Sequence, residues 1–80
     1  MTTAPAIPAA IFKRAAQVPQ KFALFILLDS IPYCEAAGRT KREYDAEFHN
    51  WKKVTLPTLK RSVVRYFQRD GKGEITEFKP

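Results

Sequence analysis

Asp45 and His49 stand four residues apart, the spacing at which a carboxylate on one helix face can orient an imidazole for acid–base work. The residues around them are polar, and on a solvated face such a pair makes only a weak surface contact. Cys34 is a second candidate for chemistry, but a thiol becomes nucleophilic only when a basic neighbour lowers its pKa, and Tyr33 and Glu35 supply no such neighbour. One cysteine excludes an internal disulfide, and His49, Cys34 and the scattered carboxylates do not form the spaced set of ligands that a zinc site requires. Gly38, Gly71 and Gly73 are isolated or sit in a turn, so no glycine-rich phosphate loop is present. These observations predict a non-enzymatic protein with no cofactor.

The remaining chemistry is charge. Fourteen Lys and Arg against eight Asp and Glu give +6, which favours an anionic partner: nucleic acid, acidic lipid headgroups or an acidic protein face. Residues 39 to 70 carry nine basic and four acidic side chains, against three and two in residues 1 to 38. Arg39, Lys41, Arg42, Lys60, Arg61, Arg65 and Arg69 are therefore the expected contacts to such a partner. The opening stretch has Lys13, Arg14 and Lys21 with no carboxylate before Asp29, the balance of a mitochondrial targeting segment. The longest apolar run, Phe22 to Leu28, is seven residues, whereas a membrane-crossing helix takes roughly 20, so no transmembrane span is expected.

These residues must be positioned by elements that the pattern outlines as helices. Residues 1 to 8, with Pro5 and Pro8, read as an extended arm. The segment after Pro8 places Ile11, Ala15 and Val18 on one side of a short helix that Pro19 ends. From Gln20 to Asp29 the interior of the segment is apolar all round and rich in Leu, Phe and Ala, which predicts a second, buried helix. Asp29 or Ser30 would cap a third short helix running from Pro32 to Ala37, stopped by Gly38.

Thr40 and Glu43 form a capping box, and Tyr44, Phe48 and Trp51 then make an aromatic stripe on the following helix. A last helix opens at Thr55 and closes at Gly71, with Leu56, Leu59, Val63, Tyr66 and Phe67 on one arc. Asp70-Gly71 also reads as a hairpin turn between residues 62–68 and 74–78, but the helical period is the cleaner signal and the helix is preferred. The fold expected is thus mainly α, with three to four short helices over residues 9–70, an N-terminal arm over 1–8, and a tail or short strand over 71–80.

The run from Pro32 to Tyr44, a short helix, Gly38, then a Thr40-capped helix, resembles the centre of a helix-turn-helix DNA-binding unit. Cys34 and Tyr44 can fill the places where that family packs its two helices together, while Arg39 and Glu47 stand where it usually buries apolar side chains. The resemblance implies Lys41, Arg42 and Asp45 at the groove and Lys60, Arg61, Arg65 and Arg69 on phosphates.

A domain of 80 residues buries only about 60% of the surface its unfolded chain exposes. Ten aromatic side chains are a heavy load for so thin a core, which places Phe22, Phe25, Tyr66 and Phe67 at a protein interface. The function expected is that of a small basic accessory subunit, held among other protein subunits of a larger assembly such as a mitochondrial complex. The alternative is a helix-turn-helix-like DNA binder.

Overall fold

The structure is a computed structural model that describes residues 6–59 and 64–80. It is an α+β sandwich, not the mainly α fold that the periodicity predicts. The described elements run α1 (Ala9–Ala16), β1 (Phe22–Leu28), β2 (Ile31–Gly38), α2 (Lys41–Val54), α3 (Leu56–Leu59), β3 (Val64–Arg69) and β4 (Ile75–Phe78). The strands form one antiparallel sheet in the order β2-β1-β3-β4, with α1 on one face and α2 on the other.

Two of the expected helices are strands and the last is a strand over its second half, each for an identifiable reason. The segment read as a buried helix is β1, the central strand between β2 and β3. Its side chains alternate, but both faces are covered: Ala23 and Phe25 pack under α1, Leu24 and Ile26 under α2, and all four are buried. A strand buried on both faces is apolar at every position, so the alternation that identifies a strand vanishes from the sequence. The expected helix from Pro32 to Ala37 is β2. Asp29 and Ser30, read as caps, take φ values of 50° and 66° and form the two-residue turn of a β1–β2 hairpin in which Leu28 pairs with Ile31. The register slips between Leu24 and Phe25, which leaves Glu35 as an extra residue and breaks the β2 pattern.

The last expected helix is cut short. Leu56–Leu59 forms one turn, α3, and Val64–Arg69 is strand β3. The hairpin across Asp70-Gly71 is the arrangement the chain adopts, and β4 completes the sheet where a tail was the other expectation. Asp70 fixes the turn: its carboxylate accepts from the amides of Lys72 (2.9 Å) and Glu74 (3.0 Å), and Gly73 sits at φ 84°.

Two helices fall where the pattern puts them. Helix α1 follows Pro8 and buries Ile11 and Ala15. Helix α2 is capped by the Thr40 hydroxyl, which accepts from the Glu43 amide at 3.2 Å, while the Glu43 carboxylate accepts from the Arg39 amide at 3.0 Å. Tyr44, Phe48 and Trp51 face the sheet in a row with Phe22, Tyr66 and Phe78, with ring centroids 5.8 to 6.3 Å apart in neighbouring pairs. The strand at Pro32–Gly38 removes the first helix from the arrangement that resembles a helix-turn-helix unit.

The core is therefore two layers divided by the sheet. One holds Ile11, Ala15, Ala23, Phe25 and Phe67; the other holds Leu24, Ile26, Ala36, Tyr44, Trp51 and Leu56. Eight of the ten aromatic residues pack in these layers, so the fold accommodates the aromatic load by using both faces of the sheet. Phe25 and Phe67 are fully buried and serve this chain's own core; burying each stabilises the fold by about 2–3 kcal/mol. Among the described residues no helix is long and apolar enough to cross a membrane.

Candidate functional site

The strongest polar construction in the molecule gathers around Arg69, at the end of β3. Register places Arg65, Phe67 and Arg69 on the α1 face of the sheet, and the Arg69 side chain crosses beneath the end of α1. Its guanidinium donates to the carbonyls of Ala15 (2.8 Å), Val18 (2.8 Å), Gln20 and Lys21 (3.2 Å). Helix C-termini leave carbonyls without intrahelical donors, and a guanidinium offers five N–H groups in a planar fork, which suits it to collect several at once. The expected anion contact at Arg69 is thus committed to holding α1 and the following loop on the sheet.

Arg65 is committed in a second way. Its Nε and Nη2 donate to the two oxygens of Glu77 at 2.9 and 2.8 Å, and Nη2 also approaches the Ala6 carbonyl at 3.4 Å. The guanidinium lies 5.2 Å from the centroid of Phe67. The bond from Arg65 holds the Glu77 carboxyl below its ordinary value, and the same bond raises Arg65. Both side chains are about one-third exposed, so solvent screens the pair.

The other expected cationic contacts are dispersed. Lys41 pairs with Asp45 at 3.3 Å along the exposed side of α2, which leaves His49 without that carboxylate. Arg39 and Arg42 are exposed at the start of the same helix. Lys60 and Arg61 lie outside the described residues. Of the expected interface aromatics, Phe22 and Tyr66 are half-buried against the α2 layer, and Phe25 and Phe67 are in the core beneath α1.

The potential nucleophiles are turned inward. The Cys34 thiol is half-buried on the α1 face; burial pushes its pKa up, and nearby Arg14 offsets this only in part. The Tyr44 hydroxyl is pushed up to about 12, chiefly by burial and then by Asp45, and it donates weakly to Gln68 at 3.5 Å. Both groups are therefore protonated at neutral pH and act as packing side chains with a polar tip.

What sequence reasoning missed is an asymmetry between the two faces. From Ala6 to Leu28 the chain has no carboxylate, and this is the stretch that covers one side of the sheet. Lys13 and Lys21 are exposed there, Arg14 is half-buried, and Lys72 joins Lys21 across a shallow groove formed by the α1–β1 loop and the β3–β4 turn. Of the described strand residues that the register turns toward α1, one is acidic, Glu77, and Arg65 neutralises it. The α2 side is nearly balanced, with Arg39, Lys41, Arg42, Lys52 and Lys53 set against Glu35, Glu43, Asp45 and Glu47. Phe12, about half exposed, stands beside Lys13 on the outer surface of α1. The acid-free opening stretch was the available signal; its meaning as a face depends on the sheet beneath it.

The chain matches no protein-family model, and no characterised protein and no solved structure is measurably similar to it.

Proposed function

We propose that this protein is a non-catalytic binding subunit that lays its α1 face on an acidic partner within a larger assembly. The observation that carries the reading is the charge asymmetry: Lys13, Arg14, Lys21 and Lys72 lie on a side whose one described strand carboxylate is already paired. Cations gathered on one face attract a polyanionic surface and orient the encounter, whereas the same cations interleaved with acids do not. Phe12, exposed on α1 beside Lys13, adds an apolar contact to that face, as an exposed aromatic does in protein interfaces.

The test compares two triple charge reversals of equal size. Lys13→Glu, Lys21→Glu and Lys72→Glu together abolish retention on an immobilised polyanion at low salt; Lys41→Glu, Lys52→Glu and Lys53→Glu together retain most of it. Equal losses from the two variants would mean that binding follows net charge and that no dedicated face exists. The mitochondrial address is a separate proposal, supported by the acid-free composition of the opening stretch, and imaging a reporter that carries residues 1–21 alone tests it.

A further inference from the structure

We propose that the cleft between the first turn of α2 and the β3–β4 hairpin binds a nucleobase, carried by a free nucleotide or by a single strand. The cleft has a volume of about 240 Å³, and Phe22, Lys41, Tyr44, Gln68, Asp70 and Thr76 line it. Register brings the strand residues together: Gln68 pairs with Thr76 on one side and with Leu24, two residues after Phe22, on the other. The cleft thus lies on the α2 side of the sheet, away from the cations of the α1 face.

Its walls are aromatic and are set by packing. The rings of Phe22 and Tyr44 stand 6.3 Å apart, and Phe22 lies against the hairpin turn at Gly71, where an added Cβ would come within 2.9 Å of its Cζ. Phe22 is only half-buried, which leaves it surface for a planar ring to pack on.

The polar groups between these walls are mixed in kind. The Tyr44 hydroxyl donates to the Gln68 carbonyl at 3.5 Å, and that carbonyl keeps a second lone pair. The Gln68 NH2 has no acceptor among the described residues and is open to the cleft as a donor. Asp70 gives one oxygen, Oδ1, to the turn amides of Lys72 and Glu74, which leaves the other as an acceptor. The exposed Thr76 hydroxyl serves either way.

Charge decides among the ligands. Lys41 opposes a simple cation in this cleft, and Asp70 opposes a simple anion. A neutral planar group with donors and acceptors along its edge meets neither objection. A nucleobase has such an edge, and a Gln carboxamide pairs with it at two points. The phosphate favours a nucleotide over a neutral peptide side chain. Lys41 is 74% exposed and held to Asp45 by contacts of 3.3 Å, a weak surface pair that a phosphate displaces, and Arg39 and Arg42 are exposed beside it.

NMR shift mapping on the isotope-labelled full chain tests the proposal, with the adenosine, guanosine, cytidine and uridine monophosphates as probes and ribose 5-phosphate as control. At least one mononucleotide is expected to saturate, with shifts gathered on Phe22, Tyr44, Gln68 and Thr76, and ribose 5-phosphate to bind far more weakly. Gln68→Leu weakens the mononucleotide by about tenfold and Thr76→Val by about threefold, the range of one hydrogen bond. Thermal melts verify that both variants fold, and Thr76 is exposed, so its variant decides the matter if Gln68→Leu does not. Lys41→Ala weakens the nucleotide and leaves the matching nucleoside unchanged. A short single strand that binds more tightly than its own mononucleotide and than an abasic strand of equal length identifies a strand as the source of the base; one that does not identifies the free nucleotide. Absence of shifts in the cleft, ribose 5-phosphate binding as tightly as the nucleotides, or unchanged affinity in both folded variants overturns the proposal.

Discussion

Arg69 lies over the ring of Phe25, 5.6 Å from its centroid, while its guanidinium holds the carbonyls at the end of α1. A residue from β3 thus closes the layer built by α1 and β1, and it shields its own charge on an aromatic face as it does so.

Removing that side chain leaves the carbonyls of Ala15, Val18, Gln20 and Lys21 without their donor and frees α1 from the sheet. Arg69→Ala is expected to destabilise the fold by about 3 kcal/mol, and Arg69→Lys by most of that amount, since an ammonium cannot span the same acceptors. Urea denaturation followed by circular dichroism measures both, and faster exchange of the amides of α1 than of α2 would locate the loss.

Gly38 is required by a close approach. A methyl added there would stand 2.9 Å from the Tyr44 Cα and closer still to its amide nitrogen, so α2 would have to move off β2. Gly38→Ala is expected to cost about 2–3 kcal/mol, more than the roughly 1 kcal/mol for Thr40→Ala, which removes one cap bond. The order of the two denaturation midpoints is the check.

The pairing of Arg65 with Glu77 gives an acid limb to stability. The folded carboxyl titrates below its unfolded value, so the contribution is present above the unfolded pKa and is lost as pH falls through the lower folded one. Glu77→Gln flattens that limb. Because both partners are partly exposed, added salt narrows the difference between the two proteins. Thermal melts over a range of acid pH, at low and high salt, read this directly.

Tyr44 governs the opposite limb. Its folded pKa is about 12 against an ordinary value near 10, so the unfolded chain loses this proton first. The stability that Tyr44 contributes is complete below the unfolded value and is lost as pH rises from there through the folded one. Tyr44→Phe is expected to reduce the alkaline decline, and ultraviolet absorbance titration of the wild-type protein to show one phenol ionising near the top of the range.

How far the sequence discloses the fold depends on what each element touches. Thr40, Glu43 and the row Tyr44, Phe48, Trp51 reveal α2 because the helix has one buried face and one wet face. Helix α1 is legible for the same reason. Strand β1 is not, since Leu24 and Ile26 meet one helix while Ala23 and Phe25 meet the other, and no polar position marks the alternation. Asp29 and Ser30 turn the chain without the glycine that would have announced a hairpin, and Glu35 breaks the β2 pattern by bulging. In β3 the apolar residues fit a helical arc more cleanly than a strand, which misleads, and the Asp70-Gly71 turn favours the strand through contacts made within the turn. The cations are visible as composition, but the part Arg69 plays is set by carbonyls 48 to 54 residues away, which no local pattern can encode.

The sheet order also constrains when the chain can fold. Strand β1 pairs with β2, its immediate successor, and with β3, which follows only after α2 and α3. A polypeptide emerging from the ribosome can form the first hairpin early, with α1 packed on β1 and β2, but the layer around Phe25 stays incomplete until Phe67 and Arg69 have been synthesised. Helix α1 is thus made before the side chain that secures it, and a chain cut short before β3 leaves the carbonyls at the end of α1 without the Arg69 donor.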